Sequence, residues 1–227
     1  MPDVRISSII PAWNAEKFIQ RCIDSLLHQE GSFEHEIIVV NDGSEDRTLE
    51  ILRAYGDQIV CIDRPNGGVS AARNAAFDVA NGDYLCLLDA DDVAPRDRLL
   101  NQWRAMESTG AGLVFGYMRQ FRDEAPDLFS DPIRAVLPGG VMMRKEVFER
   151  VGPFDEAIRF AEFVDWLARA RAKGVREEII DDVVLLRRVH DHNKGTLNKE
   201  ARGQYAQILK QMLDKKRAAG KSSGESV

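Results

Sequence analysis

Apolar residues in the first half of the chain gather into four short, almost uninterrupted runs, at residues 4–10, 36–40, 58–62 and 84–88. Such runs lack the in-out alternation of a half-exposed strand and predict strands covered by helices on both faces, as in a parallel sheet. The stretches between them switch to helical spacing. Phe18, Ile19, Cys22, Ile23, Leu26 and Leu27 define one buried face, with Asn14 as the expected N-cap. Leu49, Leu52 and Tyr55 mark a second helix after the turn-rich Asp42, Gly43 and Ser44. An Ala-rich third spans 71–80 after Asn66, Gly67 and Gly68. The βαβαβαβ order predicts an α/β fold with a Rossmann-like, mostly parallel sheet flanked by helices.

The second half is less regular, with apolar runs at 112–117 and 141–143 and a helical pattern at 162–173. Without internal repeats or a Pro- or Ser-rich linker, one domain is expected over residues 1–219, with 220–227 as a disordered tail. Tyr205, Ile208, Leu209, Met212 and Leu213 share one face of an expected amphipathic helix at about 199–219. From Arg187 onward ten Lys and Arg stand against four Asp and Glu. That excess allows peripheral contact with an anionic membrane, although such a terminal helix more commonly packs on its own domain or on a twin subunit.

Composition narrows the partners. A chain of 227 residues, 44% hydrophobic, can bury a full core, and a net charge of -6 argues against general nucleic-acid binding. Small molecules are the expected ligands. Cys22, Cys61 and Cys86 form no C-x-x-C pair and read as small buried side chains of a reducing compartment. The first residues show no leader-like pattern, and no run reaches the roughly 18 apolar residues a membrane span needs, so cytoplasmic residence is the expectation.

In an open parallel sheet ligands bind beyond the carboxyl ends of the strands. The residues at those ends are Pro11, Ala12, Trp13 and Asn14; Asn41, Asp42, Gly43 and Ser44; Asp63 to Gly68; and Asp89, Ala90, Asp91 and Asp92. Asp89 and Asp91 are two apart, which on an extended strand sends both carboxylates to one side. Two hard oxygen donors so placed suit Mg²⁺ or Mn²⁺ bridging to the phosphates of a nucleotide diphosphate. The alternative is an Asp-rich turn that caps the next helix. Asp42 either accepts from the imide N–H of a uracil or caps the helix near Ser44. Arg64, Arg73 and Asn74 surround the Gly67-Gly68 turn and can face phosphate or base; for Arg64 alone, an exposed loop residue is the simpler reading.

Taken together, Ile10-Pro11-Ala12-Trp13-Asn14, Val39 to Ser44, Arg64 to Asn74, Gly82-Asp83-Tyr84 and Leu88 to Asp92 resemble a family 2 glycosyltransferase of the GT-A fold. The resemblance extends through Arg144 to Phe148, Val151 to Glu156 and the closing Arg187-Arg188-Val189-His190-Asp191-His192-Asn193. It implies transfer of a sugar from a nucleotide-diphosphate donor to an acceptor hydroxyl, with inversion and a divalent metal. It sets the nucleoside against Pro11, Trp13, Asp42 and Arg73. Glu16 is then at the ribose or the helix start. Asp91 becomes the first metal ligand, Asp89 lies nearer the ribose or metal, and His190, ahead of His192, completes the metal shell or touches the diphosphate. Trp13 stands where the family often has Tyr.

One departure concerns the chemistry. The family usually carries adjacent Glu-Asp beside the acceptor, its Asp being the base, whereas here Phe163 follows Glu162. Asp165 and Glu162 are therefore the candidate bases, three residues apart on one helix. Trp166 is either core or a sugar-stacking wall. Two other readings compete: a sugar-nucleotide binder that has lost catalysis, and a phosphoryl-transfer enzyme using Asp89-Ala90-Asp91-Asp92-Val93. The second signature belongs to the first strand of its own fold, and here three βα units precede it.

Overall fold

The computed structural model describes residues 4–190. The expected terminal helix at 199–219, the tail at 220–227 and His192 lie outside the described residues. Four parallel strands form the first half: β1 (Arg5–Ala12), β2 (Glu34–Asp42), β3 (Val60–Arg64) and β4 (Tyr84–Leu87), in the spatial order β3-β2-β1-β4. They alternate with α1 (Ile19–Leu27), α2 (Thr48–Ala54) and α3 (Val69–Phe77). The uninterrupted apolar runs follow from burial on both faces. Ile9, Ile38 and Val40 pack toward Ala72 and Ala76 of α3, while the intervening Ile10, Ile37 and Val39 join Ile19, Cys22 and Ile23 of α1.

The second half extends the same sheet. After α4 (Arg98–Thr109) come β5 (Leu113–Phe121), β6 (Ile133–Arg134) and β7 (Met142–Arg144). They are followed by α5 (Lys145–Val151), α6 (Glu162–Ala172) and β8 (Glu177–Arg188). The β7 strand inserts antiparallel between β4 and β5, and β8 runs parallel to β5 on its other side. Its register slips twice around Tyr117, and its carboxyl end meets the loop after β4 through a Val93–Leu186 bridge. That antiparallel insertion and return strand bring Asp92 and Arg188, 96 positions apart, to one crest.

Three expectations change. Asn14 is no N-cap, because α1 starts at Ile19 and Asn14 takes a positive φ of 49°. Gln58 belongs to a short 3-10 turn before β3. Cys22 and Cys86 are buried as expected, but Cys61 is exposed, because β3 is an edge strand with helices covering little of it. Trp166 resolves as core: it is fully buried, stacks near Phe148 and Phe163, and donates its indole N–H to the Gly152 carbonyl at 2.9 Å. No helix among the described residues is long and apolar enough to cross a membrane.

Candidate functional site

The first two strand-end loops interlock. Asn14 donates its N–H to Ser44 Oγ at 3.0 Å and accepts the N–H of Glu45 at 2.8 Å, while Ala15 N–H reaches Thr48 Oγ1 at 2.8 Å. Glu16 accepts the N–H of Arg47 at 3.1 Å. Its carboxylate thus serves the approach to α2, not a cap on α1. Trp13 stands 51% exposed at the rim, beside the half-buried Pro11.

Asp42 is buried and accepts from two successive backbone amides, Gly67 N–H at 3.0 Å and Gly68 N–H at 2.7 Å. It therefore shapes the third loop and does not cap α2, whose first N–H at Thr48 is taken by Asp46 at 2.9 Å. The Gly68 φ of 92° lies where only glycine is at ease, so the turn entering α3 depends on it. Arg64 is partly exposed beside this turn, its Nε 3.7 Å from Asp42 Oδ1.

Strand β4 stops at Leu87, and Asp89 to Asp92 form a turn closed by Asp92 N–H to the Asp89 carbonyl at 3.0 Å. Strand alternation therefore does not set the direction of these carboxylates. The turn sends them to different partners. Asp89 Oδ1 accepts from Arg73 Nη2 at 2.9 Å, and Asp91 Oδ2 lies 3.0 Å from His190 Nε2. Asp92 does not cap α4; its Oδ1 accepts the N–H of Arg188 at 2.9 Å. Burial first, then the charge of Asp89, raises the Asp91 carboxyl above its usual range, while His190 acts in the opposite sense. Asp92, more deeply buried and beside both other acids, is raised further.

The raised Asp92 has a thermodynamic consequence. A carboxyl whose folded pKa exceeds its unfolded value contributes most to stability below the unfolded value, and that contribution is lost as pH climbs through the folded one. Asp92→Asn keeps the acceptor oxygen for Arg188 and removes the charge. Its metal-free melting temperature is expected to exceed that of the native chain at pH 7 by about 2–4 °C, the equivalent of ~1 kcal/mol. The gap should close as pH falls toward 4, which thermal melts across pH would measure.

Arg73 joins the acidic turn after β4 to the start of α6. Its side chain is 2% exposed, and Nη1 donates to Glu162 Oε1 at 2.7 Å while Nη2 holds Asp89. Burial opposes its charge, but Asp89 and Glu162 outweigh that and hold the guanidinium above its ordinary range. Glu162 opens α6 and is thus tied to the acidic turn. Asp165 is not brought there: its carboxylate pairs with Arg169 at 2.9 Å, and Arg169 in turn holds the carbonyls of Val151 and Pro153. Asn74, expected at the donor, is engaged by the backbone of the segment before α6. Its amide donates to and accepts from the Phe154 backbone, both at 3.0 Å, fastening the segment before α6 to α3. Phe163 is core, edge-on to Phe115.

A family model described as glycosyl transferase family 2 matches residues 7–133. The chain belongs to that family. It is 33% identical over 203 residues to the glycosyltransferase EpsJ of Bacillus subtilis, covering 78% of this chain and 59% of that protein. It is 32% identical over 204 residues to the succinoglycan biosynthesis protein ExoO of Rhizobium meliloti, covering 78% and 58%. The chain thus spans less than two thirds of these relatives. Among solved structures, S. aureus TarS 1-349 in complex with UDP-GlcNAc superposes with a TM-score of 0.76 at 19% identity, over 90% of this chain and 65% of that one. A complex of the same protein with UDP gives a TM-score of 0.71 at 21% identity, over 82% and 61%. The fold is GT-A.

In this family 2 chain, two contributors to the site escaped the sequence reading. Phe18, counted there as a core-facing residue of α1, stacks on His190 with ring centroids 4.6 Å apart and planes 22° from parallel. Arg188, noted only within the closing motif, is buried between Phe18 and Phe121 and donates Nε to the Asp91 carbonyl at 2.9 Å. The available signal was a charged pair directly after the apolar Val183 to Leu186, where an arginine must find acceptors if it is to be buried.

Proposed function

We propose that this chain transfers a sugar from a nucleotide-diphosphate donor to an acceptor hydroxyl with inversion at the anomeric carbon. The observation that carries the reading is the Asp89–Arg73–Glu162 bridge, which joins the donor-side acids to a carboxylate on the acceptor side. Trp13 and Pro11 receive the base, and Asp42 holds the Gly67-Gly68 turn in shape beside Arg64. The UDP and UDP-GlcNAc complexes of TarS support a uridine donor.

Asp91, Asp89 and His190 offer two hard carboxylates and an imidazole, a set that suits Mg²⁺ or Mn²⁺. Burial first, and the charge of Asp89 second, raise the Asp91 carboxyl, and a cation would relieve the second of these. Among the described residues no group of three or more such ligands is already gathered, so phosphate oxygens and water would complete the shell. When bound, the cation offsets charge on the departing diphosphate. Glu162 Oε1 is taken by Arg73, which leaves Oε2 to receive the acceptor proton. The acceptor oxygen then forms its bond to the anomeric carbon as the carbon–oxygen bond to phosphate breaks, and the electron pair leaves with the nucleoside diphosphate. Three free thiols support action in the reducing cytoplasm.

A second reading is favoured by one observation. Phe163 replaces the family's usual acid with a core ring, which would fit a donor-binding protein without turnover. A panel of nucleotide sugars with Mn²⁺ or Mg²⁺ separates the two, scoring release of nucleoside diphosphate. Native protein is expected to release it, and Asp91→Ala to do so roughly 100-fold more slowly or less, a loss of about 3 kcal/mol. Equal release by both would remove Asp91 from the metal site. Donor binding with no release by the native chain would favour the binding protein.

A further inference from the structure

We propose that Arg188 is a positioning residue that fixes the Asp91 turn for its divalent cation and ties that turn to the loop after β5. The inference rests on the metal reading above and adds what holds the ligands in place. Three separate bonds converge on this residue. Its main-chain N–H donates to Asp92 Oδ1 and its Nε to the Asp91 carbonyl, both at 2.9 Å, and Nη1 pairs with Asp123. The turn's own bond from Asp92 N–H to the Asp89 carbonyl adds a further tie. The backbone is thereby held on both sides of the Asp91 side chain.

The same guanidinium orders the other expected ligand. Its centre lies 5.1 Å from the Phe18 ring and 4.8 Å from that of Phe121, and the Phe18 ring stacks on His190. Phe18 thus contacts both the guanidinium and the imidazole. Asp123 sits directly beyond β5, in a segment 51% exposed at that side chain, so the guanidinium spans from the acidic turn to the chain leading toward β6. A flat fork with donors in several directions can make these contacts together; an ammonium on a flexible stem cannot. Groups that orient ligands from behind commonly change metal affinity about 10–100-fold when altered.

Arg188→Lys keeps the charge and removes the fork, so it separates positioning from electrostatics. Mn²⁺ binding in the presence of UDP, read by electron paramagnetic resonance, is expected to weaken about tenfold in this variant. Saturating Mn²⁺ should then return its turnover to within about threefold of native. Asp123→Asn, altered at an exposed position, should weaken Mn²⁺ binding about two- to fivefold while folding normally. A merely structural arginine would lower the melting temperature and leave the Mn²⁺ affinity of the folded molecules alone. Folded R188K with Mn²⁺ affinity within about twofold of native overturns the proposal; should R188K fail to fold, the same result for D123N does so. Native protein that holds no Mn²⁺ with UDP overturns the metal reading and this one with it. Equal binding by native and variants overturns this one alone.

Discussion

Replacing Arg73 with methionine is expected to lower stability by about 3–5 kcal/mol and to abolish detectable sugar transfer. The stability term follows from burial. The guanidinium is 2% exposed and lies between Asp89 and Glu162, whose side chains are 38% and 12% exposed. Removing it leaves two carboxylates facing one another, with Glu162 largely shut away from water. Loss of one partner from a buried ion pair costs far more than the pair contributes relative to an apolar replacement, because the remaining charge has no compensation. Lysine should recover only part of this. Its single ammonium cannot reproduce two bonds at 2.7 and 2.9 Å to groups on different elements. Denaturant unfolding of native, R73M and R73K measures the stability term. A loss below about 1 kcal/mol for R73M would mean that the bridge is solvated and weak. Adding Glu162→Gln to R73M should restore part of the loss, since the second substitution removes an uncompensated charge, and the double-mutant cycle reports the coupling.

The strand-end loops of the first half were legible in the sequence because their physics is local. Each parallel strand is a short apolar run, and the loops that follow are marked by turn-forming residues: Asn14, Gly43, Gly67-Gly68 and the Asp89 to Asp92 turn. Direction and detail were less legible. Asp42 and Asn74 carried the right chemistry for a ligand but are engaged by backbone groups 25 and 80 residues away, contacts that no local pattern specifies. Cys61 lay in an apolar run like its neighbours, and only the position of β3 at the sheet edge exposes it. The return strand was missed for another reason. Its sequence Glu-Glu-Ile-Ile-Asp-Asp-Val-Val-Leu-Leu-Arg-Arg changes character in pairs, so neither a period of two nor of 3.6 emerges, and two register shifts against β5 disrupt the alternation further. That strand nevertheless delivers Arg188 and His190 to Asp92 and Asp91 across 96 and 99 residues. The acceptor side was unresolved because Glu162 and Asp165 are equivalent as helix positions. Arg73 distinguishes them by pairing with Glu162, while Asp165 pairs with Arg169, and the proposal of Glu162 as base rests on that difference.

Glu162→Gln is accordingly expected to reduce turnover by about 10²–10⁴-fold while donor affinity is kept, and Asp165→Asn to change turnover by no more than about threefold. Glutamine is nearly isosteric, and its amide oxygen can still accept the bond from Arg73 Nη1, but it cannot take a proton from an acceptor hydroxyl. The substitution also leaves Arg73 with one counter-ion, so a stability cost of about 1–3 kcal/mol is expected, and rates should be compared where both proteins remain folded. Asp165 stands in a different setting. It forms an i,i+4 pair with Arg169 at 28% and 31% exposure, the kind of pair that contributes ~0.3–0.5 kcal/mol. Arg169 keeps its bonds to the Val151 and Pro153 carbonyls when the aspartate becomes asparagine. Measuring nucleoside diphosphate release beside equilibrium UDP binding separates the roles. A native chain that binds UDP but gives no release would point to a binding protein. Release retained by E162Q but lost in D165N would move the base to Asp165 and require α6 to turn toward the groove, breaking the Arg73–Glu162 bond. The first outcome tests whether Phe163 has silenced the site; the second tests whether the bridge defines it.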